Sequence, residues 1–307
     1  MTGTPPVRRR LLGTALRGYR ESMGYNLDQA ARILECDRSK VSRIETGQRG
    51  IRPKELRELL TEYGVAASEQ EALLAIAHSG RLTGWWLDYA DVLSEAGQDY
   101  VIMEIAATEV LCYEPNQVPD LLQTARYASA VADADANCTS ADQREHTVEV
   151  KLARQRIALG RGTAEAWPAQ TEGRQAGTGN ASGTRLDFVI TEGALRQAVG
   201  GPGVMRDQLT RLAVLAEAGA GAGAAISVRV LPFAAGAHAA AGCGSMTILR
   251  FAQTPGIGVI HLAGLSGGVS LEDRDEVARY LRTFSQLKTA ALTSQESARL
   301  LRAMARR

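Results

Sequence analysis

The chain has 307 residues, 45% of them hydrophobic, so it can bury a sizeable core, and its length fits two domains better than one. No apolar run approaches the roughly 20 residues that cross a bilayer, and four widely spaced cysteines without a CxxC pair argue against a disulfide framework or a metal site such as zinc. The net charge of +1 is unevenly distributed: residues 1–64 hold 13 Lys+Arg against 8 Asp+Glu, which makes this segment the one expected to meet nucleic acid.

The N-terminal residues predict a flexible arm over residues 1–7, followed by a helix. An apolar stripe at helical spacing supports the helix, which should end before Gly24. The stripe consists of Leu12, Leu16, Tyr19 and Met23. Arg17 and Arg20 interrupt the apolar run that follows the basic residues 8–10, so no signal peptide is predicted. We therefore expect a cytoplasmic protein.

The stretch from Asn26 to Gly47 predicts two short helices joined by a tight turn. Asn26 and Gln29 have the spacing of a capping box, in which each side chain accepts a hydrogen bond from the other residue's amide. Asp37 is a good N-cap for the second helix, which should run over residues 38–46 and end at Gly47. This arrangement is typical of a helix-turn-helix unit.

The second helix of this unit is basic on one face. In helix-turn-helix proteins this helix enters the major groove N-terminus first, so residues at its start and one turn later reach base edges. Those residues are Arg38, Ser39 and Arg43. Arginine favours guanine, and Lys40 and Ser42 are expected to meet phosphate instead. The alternative is a solvated basic face on an ordinary helical bundle, but the spacing of cap, turn, helix and stop favours DNA recognition.

Residues 29–31 and 39–47 together resemble the Xre (lambda-repressor-like) family, with a similarity that spans about residues 10–65. The resemblance implies a DNA-binding role, with Arg38, Ser39 and Arg43 contacting bases. It also implies that the loop after the helix contacts the DNA backbone through Gln48, Arg49 and Arg52. Glu35 occupies a turn position where the family often has glycine, and a left-handed conformation there would cost glutamate up to about 1 kcal/mol.

Two more helices complete the N-terminal domain. Pro53 is a natural first residue for one of them, and Gly64 should end it. Its apolar stripe consists of Leu56, Leu59, Leu60 and Tyr63. Ser68 and Glu71 have capping-box spacing and predict a fifth helix over residues 69–79. The expected unit is therefore an all-α, five-helix, lambda-repressor-like domain over residues 1–80.

The remaining residues, 85–307, predict a larger α+β domain, in which Trp85 and Trp86 should pack into the core. Five runs are strand candidates: Tyr100–Ile105, Arg185–Ile190, Ile226–Leu231, Ser245–Phe251 and Gly258–Leu262. Three segments are helix candidates: Ala141–Leu159, Val204–Ala218 and Glu272–Lys288. They do not alternate cleanly with the strands. Residues 168–184 lack periodicity and should form a mobile surface loop.

Enzyme motifs are missing from the sequence, since it contains no GxSxG, HExxH or Walker pattern and its histidines share no ligand spacing. No cofactor is expected. Glu104 and Glu192 stand out because each carboxylate lies among apolar residues and needs a partner when buried. We favour a structural ion pair with Arg126, Arg154 or Arg196 over a ligand-binding role.

Four blocks of the C-terminal part resemble the domain of unknown function attached to Xre-type regulators in actinobacteria. The blocks are Trp85-Trp86, residues 118–127, residues 192–195 and residues 231–238. The last block contains His238, which joins Glu104 and Glu192 as a candidate ligand or partner contact. The resemblance implies a role in developmental or secondary-metabolite control and a small partner protein encoded nearby. Asp120 and His261 depart from the family pattern.

Three functions are compatible with the sequence. The first is a sequence-specific transcriptional regulator that binds double-stranded DNA as a homodimer on a palindromic operator, with a C-terminal domain for dimerisation and partner or effector binding. The second is an antitoxin-like protein-interaction module that autoregulates its operon. The third is a DNA-tethered enzyme with Glu192 or Glu104 as acid or base. We favour the first, which is not an enzyme and has no membrane partner.

Overall fold

A computed structural model describes residues 6–79, 85–160, 184–221, 223–251, 258–265 and 268–306. These residues form an N-terminal group of five helices, followed by a larger part in which helices surround a six-stranded mixed sheet. The predicted order, an all-α region followed by an α+β domain, is confirmed.

The N-terminal helices are α1 (Val7–Ser22), α2 (Leu27–Ile33), α3 (Arg38–Glu45), α4 (Pro53–Glu62) and α5 (Ala67–Ser79). Each matches a predicted helix, although α5 begins two residues earlier than expected. Leu12 and Leu16 of the predicted stripe in α1 are buried. Met23 lies just beyond the end of α1 and is 44% exposed, so the stripe stops one turn earlier than its spacing suggested.

The turn chemistry around α2 and α3 is largely as predicted. The capping box of Asn26 and Gln29 is formed, with hydrogen bonds of 2.8 and 2.9 Å. Asp37 occupies the N-cap position of α3, but its side chain caps no backbone amide and instead accepts a hydrogen bond from the Ser39 hydroxyl at 3.4 Å. Glu35 has a φ of +46°, so the turn does place a glutamate in the left-handed region.

Gly47, just after α3, is required for two reasons. Its φ is +73°, which favours glycine, and a Cβ built on it would lie 3.0 Å from the backbone nitrogen of Arg10. The end of α3 therefore approaches the start of α1 closely, and this contact helps to fix the orientation of α3.

The larger helices of the C-terminal part are α6 (Glu95–Ala106), α7 (Ala125–Ala134), α8 (Ala141–Gly160), α10 (Pro202–Ala218), α11 (Arg274–Ala290) and α12 (Ser294–Ala305); α9 (Glu192–Arg196) is a single turn. The strand predicted over Tyr100–Ile105 is wrong, because these residues lie in α6. Ser94 caps this helix by accepting from the amide of Gly97. Val101, Ile102 and Met103 are consecutive and all buried, so this part of the helix lacks the alternation of apolar and polar residues that marks a helix.

The six strands are β1 (Glu109–Glu114), β2 (Arg185–Thr191), β3 (Ile226–Leu231), β4 (Met246–Arg250), β5 (Gly258–Leu262) and β6 (Val269–Leu271). Their order in the sheet is β3-β2-β1-β4-β5-β6. β1, β2 and β3 are parallel, and the other pairs are antiparallel. Four of the five predicted strands correspond to β2, β3, β4 and β5, whereas β1 and β6 were not predicted. Because β1 was not predicted, the alternation of parallel strands and helices from β1 to β3 was not predicted either.

The sheet has two covered faces. The front face carries Val110 and Cys112 of β1 and packs against α10 and α12. The back face carries Leu111 and Tyr113 and packs against α11. Trp86 lies outside both layers and packs on α6, which confirms its predicted place in the core of this part.

Helix α1 also contacts the C-terminal part. Arg8 pairs with Asp99 of α6 at 3.4 Å, and Arg10 pairs with Glu272, just before α11, at 2.5 and 3.1 Å. Burial raises the pKa of Asp99, and the charge of Arg8 opposes this shift. α1 is therefore shared between the helix-turn-helix unit and the sheet domain.

The mobile loop predicted at residues 168–184 lies outside the described residues except for Thr184, whose buried hydroxyl donates to the carbonyl of Ala107. Among the described helices, none combines the length and the apolar character needed to span a membrane.

Replacing Glu35 with glycine should stabilise the protein. Glycine adopts positive φ without the steric cost that a Cβ imposes, so Glu35→Gly is expected to raise the free energy of unfolding by about 0.5–1 kcal/mol. Urea denaturation measures the change. Glu35→Ala is the matched control, because it removes the carboxylate but keeps the Cβ. An equal gain for both variants would show that charge, and not backbone conformation, is responsible.

Candidate nucleic-acid interface

Helix α3 presents two contrasting faces. Val41 and Ile44 are only 2% and 3% exposed and pack into the N-terminal core. Arg38, Ser39 and Arg43 are exposed on the opposite side. The guanidinium of Arg43 donates to both the hydroxyl and the carbonyl of Ser39, at 3.1 Å each, so these two side chains form one polar unit. Three of the predicted DNA contacts therefore share one accessible surface.

Lys40 and Ser42 are placed differently from the exposed residues. Both are half-buried. The ammonium group of Lys40 lies 2.7 Å from the carboxylate of Glu55 in α4. Burial acts to raise the pKa of Glu55, but the hydrogen bonds from Lys40 and from the Arg52 amide lower it below its ordinary value. Lys40 thus joins α3 to α4 through an ion pair.

The loop after α3 extends the basic surface. Gln48, Arg49 and Arg52 are exposed. Four arginines line a cavity of about 270 Å³ between this loop, α1 and α5: Arg8, Arg9, Arg49 and Arg52. The lining includes no carboxylate. Arg8 and Arg9 were not predicted to lie beside this loop, because they are about 40 positions away from it in the sequence.

A buried ion pair holds α3 against α1. The guanidinium of Arg20 contacts both carboxylate oxygens of Glu45, at 2.7 and 2.9 Å, and also donates to the carbonyl of Tyr25 at 2.7 Å. Both charged side chains are less than a tenth exposed. The hydrogen bonds that Arg20 donates to Glu45 raise the pKa of Arg20 against the effect of burial. The pair thus fixes the end of α3 relative to α1.

In the C-terminal part, Glu104 is the centre of a buried network. Arg154 of α8 donates to both its carboxylate oxygens at 2.8 Å, and the Tyr100 hydroxyl donates at 3.0 Å. Arg154 also lies 3.1 Å from Asp120, which Lys151 contacts at 3.0 Å. The ion-pair interpretation of Glu104 is confirmed.

Glu192 likewise has an arginine partner. Arg196, one turn later, donates to it at 2.5 and 2.9 Å, and the amide of Phe233 donates at 2.9 Å. The Phe233 amide and Arg196 together lower the pKa of Glu192. His238 is half-buried and accepts from the amide of Ala240 at 3.3 Å. Within the described contacts, none joins any two of Glu104, Glu192 and His238, so these candidates do not form one site.

The two positions that depart from the family resemblance lie near the same arginine. Asp120 pairs with Arg154, and the ring of His261 packs on Tyr100 with centroids 4.3 Å apart. Burial lowers the pKa of His261, and the charge of Arg154 lowers it further. Asp120 therefore gives Arg154 a second carboxylate partner besides Glu104, and the nearby His261 tends to remain neutral.

Glu114 is a buried acid that was not predicted from the sequence. It lies at the end of β1 and accepts a short hydrogen bond from the hydroxyl of Ser245. Burial raises its pKa from an ordinary value of 4.5 to about 7. Its position at the end of the unpredicted β1 explains the omission. Among the described residues, no group of three His, Cys, Asp or Glu side chains is placed to hold a metal ion.

The exposed basic face of α3 on a two-helix unit defines a helix-turn-helix protein, and residues 11–73 match a family model described as a helix-turn-helix domain. This domain indicates a DNA-binding regulator. Residues 98–303, more than half of the chain, match the model described as a domain of unknown function (DUF5753), and the chain belongs to this family. Comparisons with curated proteins and with solved structures found no match.

The raised pKa of Glu114 predicts a pH-dependent stability. Between pH 4.5 and about 7 the folded carboxyl keeps a proton that the unfolded one loses, so stability falls as the pH rises through this window, by about 3 kcal/mol in total. Glu114→Gln should therefore be more stable than the wild type at pH 8 and similar to it at pH 4.5. Urea denaturation across this range measures the difference.

The exposed Glu145 of α8 provides a matched control, because Glu145→Gln removes a carboxylate at the surface and should keep the wild-type pH dependence. If Glu114→Gln and the wild type lost stability in parallel from pH 4.5 to 8, the titration of Glu114 would not be responsible.

Proposed function

We propose that the chain is a sequence-specific transcriptional regulator of the Xre type that acts in the cytoplasm. The observation that carries the proposal is the exposed unit of Arg38, Ser39 and Arg43 on a helix whose other face is buried. The domain division proposed here is a DNA-binding domain over residues 1–80 and a regulatory domain over residues 85–307.

The polar face of α3 suits base recognition. A guanidinium can donate two parallel hydrogen bonds to O6 and N7 of guanine, and a hydroxyl can pair with several bases. Arg43 is already oriented by Ser39, which lowers the entropic cost of ordering its side chain on DNA. Sites that contain guanine are therefore the expected targets.

The loop cavity suits the DNA backbone. Its four arginines bring positive charge together without a carboxylate in the lining, and phosphate is the anion that DNA presents at regular spacing. We assign Gln48, Arg49 and Arg52 to backbone contacts and add Arg9. Ser42 and Lys40 remain proposed phosphate contacts, and Lys40 would exchange Glu55 for DNA.

Alanine variants separate base reading from backbone binding. The operator is selected from a random DNA pool and compared with the protein's own promoter. Arg43→Ala should weaken binding to this operator by about 1–3 kcal/mol and barely change binding to random DNA. Arg49→Ala should weaken both alike. Fluorescence anisotropy measures all four affinities. Arg17→Ala is the control, because Arg17 is an exposed arginine of α1 that pairs with Glu21. Equal losses on both DNAs for Arg43→Ala would remove it from the base-reading set.

We further propose a homodimer on a palindromic operator, because one short helix reads only a few base pairs. The C-terminal domain would provide the dimer contact and the partner or effector site. Sedimentation of the protein–operator complex should show two chains per duplex, and footprinting should show two half-sites about 34 Å apart. A single chain that protects one half-site would contradict the dimer.

A further inference from the structure

A cavity of about 420 Å³ lies on the back face of the sheet, beneath the C-terminal half of α11. We call it the α11 cavity. Its volume falls within the range of small-molecule sites, roughly 300–1,000 Å³. Its charged lining residues are Glu109, Arg185, Asp187, Arg229, Arg250 and Lys288. Four of these six side chains are cationic, so the cavity carries an excess of two positive charges.

The two carboxylates of the cavity are shared among three cations. Glu109 lies 2.5 Å from Arg250 and 3.8 Å from Arg185. Asp187 lies 2.8 Å from Lys288 and 3.5 Å from Arg185. Both contacts to Asp187 use the same oxygen, Oδ2. The two carboxylates therefore only partly neutralise the four cationic side chains of the cavity.

Within the described part of the chain, no carboxylate pairs with Arg229. Its one described contact is a hydrogen bond from Nη1 to the carbonyl of Lys288 at 3.2 Å. Among the described residues, neither Nε of Arg229 nor Oδ1 of Asp187 has a hydrogen-bond partner, although both atoms are buried. Unpaired polar atoms and charges of this kind are costly, and a ligand that offered an anion and a hydrogen-bond donor would satisfy them.

Helix α11 connects this cavity to the DNA-binding domain. At its N-terminal end, Arg274 packs against the backbone of Gly18 in α1, where an added Cβ would lie 2.7 Å from the guanidinium. Glu272, two residues earlier, holds Arg10 of α1. Lys288 lies 14 residues after Arg274 on the same helix, a distance of about 21 Å. One rigid element thus touches both α1 and the cavity.

We propose that the α11 cavity binds a small anionic metabolite, with a phosphate or several carboxylates and at least one hydroxyl or ammonium donor, and that binding changes DNA affinity through α11. The anion meets Arg229, Arg185 and Arg250, and the donor meets Asp187. The coupling to DNA rests on the proposed regulator function, whereas the binding site itself does not.

Calorimetry on the full chain tests the site without DNA. The probes are 3-phosphoglycerate and citrate, which carry acidic groups and a hydroxyl, with neutral glycerol as the reference. The wild type should bind at least one anionic probe with a Kd below about 1 mM, and Arg229→Gln should weaken it about tenfold or more. Arg185→Gln, at a more exposed position, should also weaken binding and guards against misfolding of the first variant.

The matched control is Arg279→Gln, which removes a charge from the solvent side of α11, where Arg279 pairs with Glu276. It should keep the wild-type affinity within about twofold. No heat with either anionic probe, or equal affinity in the wild type, Arg229→Gln and Arg185→Gln, would overturn the site.

The coupling is tested on the selected operator by anisotropy. A saturating anionic probe should change operator affinity about fivefold or more, within the usual range for allosteric coupling. Glu272→Gln breaks the contact with Arg10, so it should keep probe binding and lose most of the change. An operator affinity that ignores the probe overturns the coupling, whereas a chain that binds the probe but no DNA overturns the regulator function and leaves the site.

Discussion

The orientation of α3, and with it the proposed DNA-binding surface, depends on the buried pair of Arg20 and Glu45. It joins α1 to the last turn of α3, and the third contact of Arg20, to the carbonyl of Tyr25, ties in the connection to α2. Removing one member would leave a buried charge without its counter-ion, which commonly costs about 3–5 kcal/mol. Because α1 also holds α6 and α11 through its arginines, the same helix that orients α3 receives the sheet domain.

The sequence predicted the helix-turn-helix unit well because its signals are local. A capping box, a helical stripe or a terminal glycine lies within a few residues of the backbone it controls, and Asn26 and Gly47 both behave as their types require. The sequence did not show which side chains from distant positions in the chain come into contact. Lys40 is paired with Glu55, and Arg9 joins the loop arginines, because α4 and α1 fold back onto α3.

The C-terminal part was less predictable for a related reason. The run at 100–105 is apolar because α6 is buried on several sides, which removes the periodicity that distinguishes a helix from a strand. The candidate acid Glu104 was correctly assigned to an ion pair, since a buried carboxylate needs a cation. Glu114 and the α11 cavity were missed, because both depend on which strands are neighbours, and β1 was not among the predicted strands.

The position of β1 also bears on the order in which the chain folds. β1 pairs with β4, and Glu109 meets Arg250 across 141 positions of sequence. The helices α1–α5, in contrast, are complete by residue 79. Because contacts between distant residues form more slowly than local ones, and the ribosome delivers the N-terminus first, we expect the DNA-binding unit to be folded well before the sheet closes. For part of its synthesis the chain would carry a folded helix-turn-helix domain, while the sheet domain that later contacts α1 is still unfolded.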